Sequence, residues 1–312
     1  SISLPSLTEK DKRDLEYILT IPSINWIALS FVRSAKDVKD LEKIVKAAGH
    51  QAKIMSKIEK PEAIKQIDKI IKASNGIMVA RGDLGIEVPI EQLPNLQKEI
   101  IRKCRQRARP VIVATHMMDS MITNPIPSRA EVTDVANAVL DGADAVMLSG
   151  ETSVGHHPVK VVEAMNRIID EAEKGYIVAR EKRPKPSPKS RTFLSDAICR
   201  NAAKMAEEVK AKAILGVTSS GYTAFKVSSF RPDAKIYIFS DNAHLLSTLN
   251  LVWGVHCFYY DKFTTTDETI YDLAEILKQN GLVQKGDVII NTGSMPLKKR
   301  HRTNMMKITV ID

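Results

Sequence analysis

Residues 76–85 read Gly-Ile-Met-Val-Ala-Arg-Gly-Asp-Leu-Gly. Gly76 to Ala80 is apolar throughout and short, which suits a strand buried on both faces of a parallel sheet. The run then breaks at once into Arg81, Gly82 and Asp83, residues that offer chemistry rather than packing. The same punctuation recurs on either side. Trp26 to Val32 closes around Ser30 and Arg33, and Ala52 to Ile58 closes on Lys57 and Glu59. Pro110 to Thr115 ends at a hydroxyl, and Asp144 to Leu148 runs into Ser149 and Glu151.

Helix signals fill the gaps. Thr8 and Asp11 fit a capping box for a short helix ending near Leu19, and Ser34 and Asp37 fit another. After Ser34, the residues Val38, Leu41, Val45 and Ala48 recur at helical spacing and Gly49 stops the run. Pro61 sits early in the next helix. A glycine-bearing loop is expected after Ala80, and Pro89 precedes a helix running to about Ala108. Ser128 and Glu131 open a helix expected to bury Val132, Val135, Val139 and Leu140, and Val159 to Ala172 forms the last of this half. Five strand–helix units of about 25 to 35 residues suit a (β/α) barrel better than a doubly wound sheet, and barrels gather their active sites at the carboxyl ends of the strands. The expected fold is therefore α/β, a partial TIM-type barrel made of the last five βα units. Five strands cannot close an eight-stranded barrel, so either about three units lie upstream or the sheet is open.

Arg180 to Arg191 mixes Pro184, Pro186 and Pro188 with basic charge and reads as an extended linker. The expected organisation is a barrel segment over 1–178, a linker over 179–192 and a smaller α/β domain over 193–312. In the last, a helix over Leu194 to Val209 leads to strands at Ala213 to Ser219, Lys235 to Ser240, Val255 to Tyr260 and Asp287 to Thr292. Met306 to Val310 is expected as an edge strand.

The composition of the 312 residues, 44% hydrophobic and 27% charged, is that of an ordinary globular protein. No apolar run approaches the roughly 20 residues of a membrane span. The opening Ser1-Ile2-Ser3-Leu4-Pro5 has neither the basic nor the apolar region of a signal peptide, and the absence of an initiator Met hints at missing upstream residues. Cys104, Cys199 and Cys257 are isolated and odd in number, which argues against a disulfide framework or zinc site and for a reducing cytoplasm. The net charge of +9 is concentrated in 180–191 and 298–302. Neither run interleaves aromatic residues as a single-strand binder would, so solvated loops are expected rather than nucleic-acid or membrane contacts.

Lys57 and Glu59, two apart on a strand, point to one side, at the expected site mouth. They could simply pair, or work together. Asp83 adds a second carboxylate one strand along. Glu59 and Asp83 could then hold one hard divalent ion, Mg²⁺ or Mn²⁺, with positions left for substrate oxygens. Gly82 permits close approach of backbone to an anion. Thr115 could bind a carboxylate or cap its own turn, and Ser149 with Glu151 could pass a proton or satisfy loop backbone.

Six blocks carry a specific resemblance. They are Ser56-Lys57-Ile58-Glu59, Met78 to Gly85, Ala114 to Met121, Arg129-Ala130-Glu131-Val132, Asp134 to Val139 and Met147 to Thr152. Together, in this order, they are similar to the signatures of pyruvate kinases. The resemblance implies transfer of the phosphoryl group of phosphoenolpyruvate to ADP, giving pyruvate and ATP in glycolysis, followed by protonation of the enolate. It implies that Lys57 stabilises charge on the phosphoryl group and enolate oxygen, and that Glu59 and Asp83 bind the metal. Gly82, Asp83 and Thr115 would seat the substrate carboxylate, and Ser149 with Glu151 would serve the proton. It further implies K⁺ dependence of the full-length enzyme, a homotetramer and allosteric control.

In the second domain, Thr218, Ser219, Ser220, Gly221 and Thr223 resemble the loop that binds a sugar-phosphate effector in allosteric members. His116 stands where the family usually has Gln, Asp119 where it has Glu, Lys60 where it has Asn and Ser128 where it has Thr. The family's first barrel strands and lid domain have no counterpart here, so this chain alone is expected to be inactive. Competing expectations are a metal-dependent pyruvate-enolate lyase or aldolase, and a non-catalytic interaction module.

Overall fold

Capping boxes start the helices where the sequence places them: Thr8 with Asp11, Ser34 with Asp37, and Ser128 with Glu131. The computed structural model describes residues 7–174, 185–262, 264–295 and 302–312. The chain divides into two compact units, Ser1–Ala179 and Arg180–Asp312. Residues 179–184 of the expected linker and 298–301 of the second basic run lie outside the described residues.

The first unit runs α1 (Glu9–Ile18), β1 (Trp26–Leu29), α2 (Ala35–Ala47), β2 (Lys53–Ile58), α3 (Pro61–Lys65), α4 (Ile67–Ala73), β3 (Gly76–Ala80), α5 (Arg81–Glu87), α6 (Leu93–Gln106), β4 (Val111–Ala114), α7 (Arg129–Asp141), β5 (Ala145–Met147), α8 (Gly150–Ser153) and α9 (Pro158–Lys174). Its strands pair in parallel in chain order, β1-β2-β3-β4-β5. Each crossover thus steps one strand over in the same direction, without the reversal of a doubly wound sheet. One face of the sheet presents Ile54, Ile58, Ile77, Val79, Val111 and Val113 to a core shared with Ile70, Ile71, Ile100, Ile101 and Val135. The alternate residues Met55, Met78 and Ile112 are buried as well, which is why these strands show no polar alternation.

Four details differ from the sequence reading. Residues 81–87 form α5 rather than a loop; two glycines lower helix propensity, but Leu84 and Arg81 are both buried, and packing decides. Val132 and Leu140 are exposed, and α7 buries Val135, Ala138 and Val139 instead. Ala48 is the exposed C-cap of α2 rather than part of its buried stripe. The first strand stops at Leu29, because Phe31 turns into the left-handed region with φ 53°.

The second unit contains α10 (Phe193–Glu208), β6 (Ala213–Val217), α11 (Tyr222–Ser229), β7 (Lys235–Ser240), α12 (Ala243–Leu249), β8 (Val255–Tyr259), α13 (Thr266–Gln279), β9 (Val288–Gly293) and β10 (Met305–Val310). The sheet order is β10-β9-β6-β7-β8, with β10 antiparallel at the edge. Ile214, Ile236, Ile238 and Ile290 face α10, α11 and α12, whereas Leu215, Tyr237, Phe239 and Ile289 face α13. Because β9 returns beside β6, the strand order reverses there. The carboxyl ends of β6 and β9 form the crevice where such sheets bind ligands.

Candidate active site

The carboxyl ends of β2, β3, β4 and β5 lie side by side, each strand paired in parallel with the next. Glu59, just past β2, is 0% exposed. Its Oε2 accepts the Phe31 N–H at 2.6 Å, a bond that the left-handed turn at Phe31 makes available. Its Oε1 lies 2.7 Å from the Lys57 ammonium as an ion pair, yet without hydrogen-bond alignment, so that oxygen keeps an unused lone pair. Lys57 also donates to Ser30 Oγ at 3.0 Å. The two side chains therefore do share one side of the chain.

Asp83 follows β3 in the first turn of α5 and is exposed. Among the described residues no cluster of three or more His, Cys, Asp or Glu side chains is placed to hold a metal. Glu59 and Asp83 are two such groups, one buried and one exposed. The chemistry fits a hard cation: both donors are carboxylates, and one buried oxygen has no hydrogen bond.

Gly82 and Thr115 do meet. The Gly82 N–H donates to Thr115 Oγ1 at 2.7 Å, and a Cβ at Gly82 would sit 3.3 Å from that oxygen. Thr115 Oγ1 in turn donates to the Ala114 carbonyl at 2.6 Å. Thr115 and His116 have φ 69° and 51°, consecutive left-handed residues that a β-branched side chain strongly disfavours.

Ser149 and Glu151 also lie together, but in a way the sequence leaves open. Glu151 is 2% exposed, and its two oxygens accept the N–H groups of Ser149 at 2.7 Å and Met118 at 3.2 Å. That carboxylate ties the end of β5 to the segment after β4.

No local pattern singles out Arg81, and in the sequence Glu131 fits only a helix cap. Glu131 also accepts the Ser120 N–H at 2.7 Å and its hydroxyl at 2.5 Å. Burial pushes its carboxyl up, but the hydrogen bonds from Ser120 and Ser128 outweigh this and hold it below the usual glutamate range.

In the second unit, residues 218–221 join β6 to α11, whose second residue is Thr223. Thr218 and Thr223 are buried and already engaged: Thr218 Oγ1 accepts the Gly221 N–H at 3.0 Å, and Thr223 Oγ1 lies 2.6 Å from Thr303 Oγ1. Ser219 and Ser220 are exposed. Gly221 has φ 79°, and a Cβ there would sit 2.9 Å from Leu245 Cδ1, so the turn requires glycine. Tyr222 donates to Asp196, which also pairs with Lys226 at 3.3 Å. Burial, then the Asp196 hydrogen bond, pushes the Tyr222 hydroxyl well up.

A family model described as the barrel domain of pyruvate kinase matches residues 1–162, and one described as its alpha/beta domain matches residues 196–309. The pyruvate kinase of Lactobacillus delbrueckii subsp. bulgaricus is 42% identical over 99% of this chain and 53% of its own. That of Clostridium acetobutylicum is 41% identical over 100% of this chain and 66% of its own. The chain belongs to the pyruvate kinase family. A crystal structure of a pyruvate kinase from Cryptosporidium parvum superposes with a TM-score of 0.93 at 35% identity, covering 100% of this chain and 63% of that one. The chain thus spans about half to two thirds of the length of the pyruvate kinases it matches. The barrel-domain match takes in every residue from Lys57 to Glu151 discussed above, and the alpha/beta-domain match takes in the Thr218–Thr223 loop.

Proposed function

We propose that this chain carries the later five units of a pyruvate kinase barrel and its phosphoenolpyruvate site, followed by a regulatory domain. The observation that carries the reading is Glu59: a fully buried carboxylate with one oxygen fixed by a backbone amide and the other beside the Lys57 ammonium, unused as an acceptor. Burying a carboxylate is costly unless it is paired or ligates a metal.

In this reading Glu59 and Asp83 hold Mg²⁺ or Mn²⁺. When bound, that ion supplies charge neutralisation at the enolate and phosphoryl oxygens. Lys57 holds positive charge where the bridging P–O bond breaks and the enolate forms. The Thr115 hydroxyl and the Gly82 and Asp83 amides seat the substrate carboxylate, which takes over the hydrogen bond Gly82 now gives Thr115. A β-phosphate oxygen of ADP bonds to the departing phosphorus, and the enolate carbon takes a proton. Since both Glu151 oxygens serve backbone amides, Ser149 or a water at its hydroxyl delivers that proton more readily than Glu151 itself. K⁺, a homotetramer, a cytoplasmic setting and low activity of the 312 residues on their own go with this reading as the resemblance implies them.

Mn²⁺ binding followed by paramagnetic resonance tests it. Asp83→Ala is expected to weaken Mn²⁺ by at least roughly tenfold without unfolding, since Asp83 is exposed and buries nothing. Equal binding by both forms would refute the metal site.

A second reading concerns the other unit. Ser219, Ser220 and the start of α11 sit at the β6–β9 reversal, and the Thr223–Thr303 contact joins this loop to the one following β9. A sugar-phosphate effector is the ligand this crevice suits. Ser220→Glu, at an exposed position, should abolish binding of a labelled sugar bisphosphate by charge repulsion alone. Thr223→Glu is less informative, because it would bury a charge.

A further inference from the structure

Arg81 is the first residue of α5 and only 8% exposed, yet it is not among the groups read above as touching substrate or metal. Its guanidinium is directed across to the segment after β4. Nη2 donates to the carbonyls of Thr115 at 2.9 Å and His116 at 3.1 Å, and lies 2.9 Å from Met117 Sδ. Nε adds a longer bond to the Thr115 carbonyl at 3.3 Å. Nη1 pairs with Asp134 Oδ1 at 2.7 Å and approaches Gln97 Oε1 at 3.5 Å.

The two carbonyls it grips belong to the consecutive left-handed residues Thr115 and His116. Such a backbone persists only where its surroundings over-determine it, and strain of this kind gathers at ligand clamps. One side chain therefore fixes the peptide group that follows Thr115 and the next one along, holding the turn from which the Thr115 hydroxyl projects. The same residue directly precedes Gly82, whose N–H meets that hydroxyl. A planar fork can reach two carbonyls and a carboxylate at once; a lysine ammonium presents a single point.

We propose that Arg81, set by Asp134, is a positioning residue that locks the left-handed Thr115–His116 turn and so presents the Thr115 hydroxyl and Gly82 amide as a seat for the substrate carboxylate. It acts through Thr115 and does not touch the substrate. The proposal rests on the reading of Thr115 as a carboxylate seat.

The test is a double-mutant cycle in the full chain, with Arg81→Lys, Thr115→Ala and both together. Calorimetry measures the affinity for phosphoenolpyruvate at saturating Mn²⁺, with Mn²⁺ affinity and thermal unfolding recorded for each form. Arg81→Lys should weaken phosphoenolpyruvate by roughly ten- to a hundredfold while leaving Mn²⁺ affinity unchanged. In the Thr115→Ala background the same change should cost less than about a further twofold, because its route of action is already gone. Additive losses, or a lowered unfolding temperature with unchanged affinity, would overturn the positioning role while leaving the seat itself intact. Failure of the wild-type chain to bind phosphoenolpyruvate would remove the seat, and the role of Arg81 with it. Should Arg81→Lys fail to fold, the half-buried Asp134→Asn runs through the same cycle, with a smaller loss in the same direction expected and the same two overturning results.

Discussion

Lys57→Met should lower phosphoryl-transfer turnover by about a hundred- to a thousandfold while the protein still binds Mn²⁺. The ammonium lies 2.7 Å from Glu59 Oε1 and 3.0 Å from Ser30 Oγ, so it is held at one point rather than free to sweep the cleft. Charge fixed in advance where negative charge develops is worth more than mobile charge, because nothing has to reorganise during the reaction. Methionine keeps the apolar stem and removes the charge. The assay is steady-state turnover of wild type and variant, with Mn²⁺ affinity measured alongside. If turnover falls only in proportion to lost Mn²⁺ binding, Lys57 merely neutralises Glu59 and has no direct part in the transfer.

Glu151→Ala should cost about 2–6 kcal/mol of stability in denaturant unfolding. The substitution strands the amides of Ser149 and Met118, and a buried donor without a partner costs about 1–3 kcal/mol. Glu151→Gln, which retains one acceptor oxygen, should recover about half of the loss. The same pair separates the two roles the sequence left open. A brace shows itself in stability, whereas a proton carrier would leave unfolding unchanged in Glu151→Gln and alter the pH–rate profile instead. Substantial activity loss in a Glu151→Gln protein of wild-type stability would reverse the assignment made here.

What could be read from the sequence was whatever shows in periodicity or in nearest neighbours. The strand at Gly76–Ala80 and the capping boxes at Thr8, Ser34 and Ser128 are local patterns and stand as expected. Lys57 and Glu59 share a side because extended backbone has period two. The reach of Arg81 was hidden for a plain reason: two of its acceptors are main-chain carbonyls, which look alike at every position, and its partners Gln97 and Asp134 lie 16 and 53 residues away along the chain. Glu131 looked like a cap because its second partner, Ser120, lies before the helix it caps. Thr218 and Thr223 belong to a stretch that resembles an effector-binding loop, and only the fold reveals that both are buried and already have partners. In α7, the repeat that includes Val132 and Leu140 is genuine, yet their place at the margins of the stripe leaves them in solvent.

The two sheets differ in when their partners become available. Strands β1 to β5 pair in the order of synthesis, so each ladder can zip onto the last as the chain lengthens. In the second unit, β6 stays without one neighbour until β9 arrives, and the Thr292 hydroxyl that reaches the Leu215 carbonyl spans 77 residues. The closure entropy of that long loop falls late and at once. A nascent polypeptide stalled on the ribosome before Val288 should hold a first unit resistant to protease beside a second still open to it, the free edge of β6 the segment most in need of a chaperone.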